Sequence, residues 1–136
     1  MTQLITIVPG KRDGWTGIYI GRRMPRADLP ALQIDSPLAN PYRPTARTAE
    51  AHKIVIGQYR RWLWGQIHGT THAAQIVRAE LQRLKCEVLN GQEVKLNCWC
   101  DGLPCHAEVV KSCLEWAIET NFDFWHEPVA KVLQEV

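Results

Sequence analysis

The sequence holds no run of apolar residues near the roughly 20 needed to cross a bilayer, so no membrane association through a helical span is expected. Its opening, Met1 to Pro9, has no basic n-region, no long apolar h-region and no small-residue cleavage site. A soluble, cytoplasmic protein is therefore expected. Strong charge of either sign is also missing: the formal net charge is +2 over 136 residues, without the basic excess of a dedicated nucleic-acid coat. That balance still allows a local basic patch or an anionic ligand. Internal repeats, low-complexity tracts and a second composition regime are absent as well, and the length suits a single domain over residues 1–136. The cysteines number five, an odd count. In a reducing compartment this points to metal or thiol chemistry rather than a disulfide frame.

What the sequence does have is a cluster. Within residues 97–106, Cys98, Cys100, Cys105 and His106 fall close together. Before them, Val94, Leu96, Cys98 and Cys100 alternate with Lys95, Asn97 and Trp99, the period of a strand with one buried face. After them, Pro104 suits the first position of a helix that runs to about Thr120, and Val109, Val110, Cys113, Leu114, Ala117 and Ile118 continue at helical spacing. The cluster thus reads as a strand-to-helix turn, with Cys105 and His106 in the first helical turn.

The remaining elements follow in order. Leu4 to Val8 and Thr16 to Ile20 read as two strands, spaced for a hairpin or adjacent pairing. Residues 24–46 carry five prolines and read as a long irregular segment. A helix follows Thr45 or Thr48, with Ala51, Ile54, Val55, Tyr59, Trp62 and Leu63 on one stripe and Gly65 as its stop. A second helix begins near Thr70 or Thr71, burying Ala73, Ile76, Val77, Leu81, Leu84 and Val88 and ending by Asn90-Gly91, unless Cys86 to Leu89 forms a strand. Pro128 opens a last short helix. This order implies an α/β fold: a small mixed sheet of three to four strands covered by helices, Rossmann-like. In such sheets ligands sit at the carboxyl ends of the strands, where the cysteines fall.

Two chemistries fit the cluster. Cys98, Cys100, Cys105 and His106 supply the ligand number of a Cys3His zinc site, with Cys113 or His126 as substitutes because adjacent residues ligate one ion awkwardly. Alternatively, Cys105 at a helix N-terminus is a nucleophile and His106 its acid–base partner, with Asp101 and Glu108 orienting the histidine or simply solvated. The plain alternative is core packing, which is the favoured reading for Cys86 and Cys113. Beyond the cluster, Arg22, Arg23 and Arg47 are candidates to clamp a phosphate, and Asn40 reads either as a ligand contact or as a loop brace.

The segments Ile18-Tyr19-Ile20-Gly21-Arg22, Ser36-Pro37-Leu38-Ala39-Asn40-Pro41-Tyr42 and Cys98-Trp99-Cys100-x4-Cys105-His106 together resemble the bacterial and phage family known as domain of unknown function 4326. The resemblance includes Arg47 followed by Tyr59 on a helix and departs at Ala107, where the family has glycine. It implies an α/β fold and a functional cluster, with Tyr59 joining Arg22, Asn40 and Arg47 as ligand-binding candidates, and it leaves open whether the protein is an enzyme. The resulting expectation is a nucleotide-like or other phosphorylated small molecule, handled through zinc or a reactive cysteine. The alternative is a non-catalytic, zinc-stabilised module that binds nucleic acid or a protein partner through its tryptophans and arginines.

Overall fold

The structure, a computed structural model, describes residues 4–99 and 103–125. Among these residues three strands, β1 (Ile5–Pro9), β2 (Ile18–Tyr19) and β3 (Val94–Cys98), form one sheet in the order β1-β3-β2. Both outer strands run parallel to β3, with Ile5 opposite Val94 and Ile18 opposite Leu96. The hairpin or adjacent pairing expected of the first two strands is therefore corrected. A four-residue helical turn, α1 (Gly10–Asp13), occupies the spacer and carries the chain past β3 to its far side. Parallel β2 and β3, by contrast, are joined by a long helical crossover.

Asn97 makes this arrangement possible at the centre of the sheet. It is fully buried, its Oδ1 accepts from Gly17 N at 2.7 Å, and its Nδ2 donates to Val8 O and to Asp13 Oδ2, both at 3.1 Å. One amide thus ties β1, α1 and the entry to β2 onto β3. Gly17 has no alternative here, because a Cβ would strike the Lys95 carbonyl oxygen. Asp13 also receives Lys95 Nζ and Thr16 Oγ1, each at 2.7 Å. The Lys95 ammonium and the Thr16 hydroxyl hold its carboxyl well below the usual range.

Helix α2 (Ala49–Ile67) packs against both α3 (His72–Leu89) and α4 (Ala107–Thr120), which themselves pack on the sheet. Thr48 and Thr71 cap the first two, accepting from Ala51 N and Ala74 N. Gly65 does not stop α2, since its backbone fits the helix and nothing crowds it. The buried stripes are Ala51, Val55, Tyr59, Leu63 and Ile67 on α2, and Ala74, Val77, Arg78, Leu81, Leu84 and Lys85 on α3. Ile54, Ala73 and Ile76, expected inside, face solvent. Two cations take their place on α3: Arg78 Nη1 donates to Phe124 O at 3.2 Å and Lys85 Nζ to Phe122 O at 2.6 Å, fastening the segment after α4. Cys86, expected to be a small core residue, is exposed, and residues 86–89 are helical rather than a strand. The last helix expected after Pro128 lies outside the described residues. No helix among the described residues is long and apolar enough to cross a membrane.

Candidate functional site at the carboxyl edge of the sheet

All three strands point their carboxyl ends the same way, and there the chain forms a cavity of about 550 Å3. Its walls come from the residues just past each strand: Lys11 after β1, Gly21 to Met24 after β2, and Cys98 and Trp99 at the end of β3. The start of α2 adds Arg47 and His52, the preceding loop adds Arg43, and the approach to α4 adds Pro104 and His106. Lys11, Arg22, Arg23, Arg43, Arg47 and His52 thus line one cavity, and among the described residues no carboxylate does. A chain that is nearly neutral overall concentrates its positive charge here.

The basic loop is held by buried polar contacts. Arg22 Nη1 donates to Asn40 O at 2.6 Å, while the Asn40 side chain donates to Val55 O at 3.3 Å and accepts from Tyr42 N at 2.9 Å. Asn40 therefore braces the loop against α2 from the cavity wall. Tyr59 is fully buried and donates to Leu38 O at 2.7 Å; it supports the same loop from beneath and does not line the cavity. Tyr19 folds back to donate its hydroxyl to Arg22 O, and the absent side chain of Gly21 leaves the space for that ring. His52 Nδ1 lies 3.3 Å from Pro104 O, linking α2 to the approach of α4.

Cys105 and His106 sit just before α4 and not in its first turn as expected, since regular helix begins at Ala107, three residues beyond Pro104, with His106 as the N-cap. Cys105 Sγ accepts from Ala107 N at 3.4 Å in place of a side-chain cap. His106 Nε2 lies 2.8 Å from Ile20 O, which makes that nitrogen the protonated one in a neutral ring. Nδ1 is left with its lone pair 3.8 Å from Cys105 Sγ. Burial pushes the imidazole below its ordinary value and the Arg22 guanidinium adds to this, while the bond to Ile20 opposes it. The Tyr59 ring packs edge-on at 4.8 Å. His106 and Cys98 line the cavity, and Cys105 is buried behind it. Among the described residues no three His, Cys, Asp or Glu side chains are grouped to hold a metal ion. Cys100, Asp101 and His126 lie outside the described residues. Cys113, the other substitute ligand, is half-buried on α4, and burial pushes its thiol up to about 12.

Of the expected site residues, Arg22, Asn40, Arg47, Cys98 and His106 line one cavity. Lys11, Arg43 and His52 belong to the same wall and were not foreseen. Lys11 follows β1 as Arg22 follows β2, a signal visible only once both strands are known to be parallel.

No curated protein and no solved structure matches the chain. Residues 9–116 match the family model described as Domain of unknown function (DUF4326). The match takes in Arg22, the bracing loop, α2 and the turn through Cys98, Cys105 and His106, and the chain belongs to that family.

Proposed function

We propose that the protein binds a phosphorylated small molecule in the cavity at the carboxyl edge of its sheet. The observation that carries this reading is the cavity lining: five Lys and Arg side chains and His52, with no carboxylate among the described residues. Arginines at a strand end and a helix start are suited to bidentate phosphate contacts. The cavity also has the volume of a small-molecule site and lies where open parallel sheets take ligands. Arg43 and Arg47 are exposed, so their charges can be changed without disturbing the core. Calorimetric titration with inorganic pyrophosphate at low salt is expected to show saturable binding that weakens as salt rises. The double variant Arg43→Glu, Arg47→Glu is expected to lose roughly tenfold or more in affinity, from the strength of charge-assisted contacts. Absence of binding to the wild type, or equal binding by the variant, would refute the reading.

A second reading adds zinc, held by Cys98, Cys100, Cys105 and His106. Its support is the 3.8 Å between Cys105 Sγ and His106 Nδ1. That distance suits a hydrogen bond of the thiol to the imidazole and is also close to the about 3.6 Å that separates sulfur and nitrogen ligands of one tetrahedral zinc. The neutral imidazole is also the ligating form. Without metal, the same pair is the candidate for thiol chemistry, with Cys105 as nucleophile and His106 as acid–base partner. Elemental analysis of wild type and Cys105→Ser separates the two: about one zinc per chain lost in the variant supports the metal, and metal-free protein with rapid Cys105 alkylation near neutral pH supports the thiol.

A further inference from the structure

We infer that the phosphorylated ligand is a free nucleoside phosphate, with its base lying in a second cavity against Trp99. This rests on the reading that the basic cavity takes a phosphoryl group. The second cavity, of about 660 Å3, shares Trp99 and Met24 with the first and is otherwise lined by residues of two segments, among them Trp15, Pro25, Leu29 and Leu32. Two adjoining cavities therefore have a common wall, one basic and the other largely apolar and aromatic. A nucleotide has that same division, a phosphoryl group at one end and a flat, weakly polar ring at the other.

Trp99 is placed to serve both. It follows β3 directly and is 44% exposed, which the packing of the core does not require. Lys11 Nζ lies 4.7 Å from its ring centroid, on the basic side. The Trp15 ring meets it edge-on at 5.1 Å, on the apolar side. Trp15 itself stands at φ 62, a backbone conformation rare for a bulky residue, and its N–H donates to Gly10 O at 3.1 Å. Its ring rests against Gly10, where a Cβ would collide with it, and meets Tyr19 edge-on at 5.6 Å. The chain holds a strained tryptophan in one orientation beside a half-exposed one, and strain of this kind persists where the surroundings over-determine it. Aromatic shelves of this sort bind bases by stacking, which tolerates any base.

Calorimetry on the full chain with inorganic pyrophosphate, ADP and UDP tests the inference. Both nucleotides are expected to bind roughly five- to hundredfold tighter than pyrophosphate, the range set by base stacking on an aromatic ring. Trp99→Ala is expected to remove the nucleotides' advantage over pyrophosphate, both measured on that variant because Trp99 also borders the basic cavity, and Trp99→Phe to retain most of the gain. Should Trp99→Ala fail to fold, Leu29→Glu serves instead, since Leu29 is 44% exposed on the second cavity's wall and its charge is expected to weaken nucleotides but not pyrophosphate. Pyrophosphate binding with no preference for nucleotides overturns the base site and leaves the phosphate reading standing; no binding by either overturns both. A 5′-phosphorylated oligonucleotide is expected to compete no better than the matching mononucleotide, and tighter binding of the oligonucleotide would overturn a free nucleotide in favour of a strand end.

Discussion

Replacing Asn97 by alanine is expected to loosen the carboxyl edge of the sheet. The substitution removes three hydrogen bonds, from Gly17 N, to Val8 O and to Asp13 Oδ2. At about 1 kcal/mol net for each, the bonds alone are worth about 3 kcal/mol. The Gly17 N–H faces a further penalty, because Gly17 packs so closely on the Lys95 carbonyl that its lost partner is hard to replace with water. A total of about 3 to 5 kcal/mol follows, a large share of the stability of a domain this size. In urea denaturation followed by circular dichroism the midpoint should drop accordingly, and the melting temperature should fall by about 10 to 18 °C. Asn97→Asp carries a second signature. It sets a carboxylate against Asp13, so its defect should be largest at neutral pH and shrink in acid as the new group protonates. A loss below about 1 kcal/mol in Asn97→Ala would refute the view that this amide holds the three strand ends together.

Three further outcomes are expected. The His106 imidazole is depressed in the folded protein, so the unfolded chain binds the extra proton first; stability should fall as pH drops below about 6.5, by at most about 1.4 kcal/mol per unit, and His106→Gln should flatten that slope in urea midpoints measured from pH 7.5 to 5. Arg78 is fully buried with Nε and Nη2 unpartnered among the described residues, so Arg78→Met should change unfolding stability by less than about 1 kcal/mol or raise it, whereas Arg78→Ala should lose about 2 to 4 kcal/mol through the void it leaves. In the folded protein at neutral pH, mass spectrometry after brief iodoacetamide treatment should find Cys86 alkylated and Cys113 unmodified, because the first is exposed and the second is half-buried with its thiol raised to about 12.

Periodicity and capping, which are local, identified the long elements: the stripe of Val55, Tyr59 and Leu63 read correctly, each cap was narrowed to two threonines of which Thr48 and Thr71 serve, and the strand through Leu96 and Cys98 was found although Asn97 between them is buried as well. The strand-to-helix turn with Cys105 and His106, the α/β class and the family membership were legible for the same reason. Which strands pair is a long-range matter. The spacing between β1 and β2 looked like a hairpin, and only the Asn97 amide and the close approach of Gly17 to the Lys95 carbonyl show why both strands flank β3 in parallel. Burial on α3 was likewise shifted by tertiary contacts: Arg78 and Lys85 go inside because the carbonyls of Phe124 and Phe122 receive them, and Ile76 is left facing solvent. The basic cavity belongs to this second kind of information, since Lys11, Arg22, Arg43, Arg47 and His52 are scattered in a nearly neutral sequence and share a wall only because three parallel strands end at the same edge.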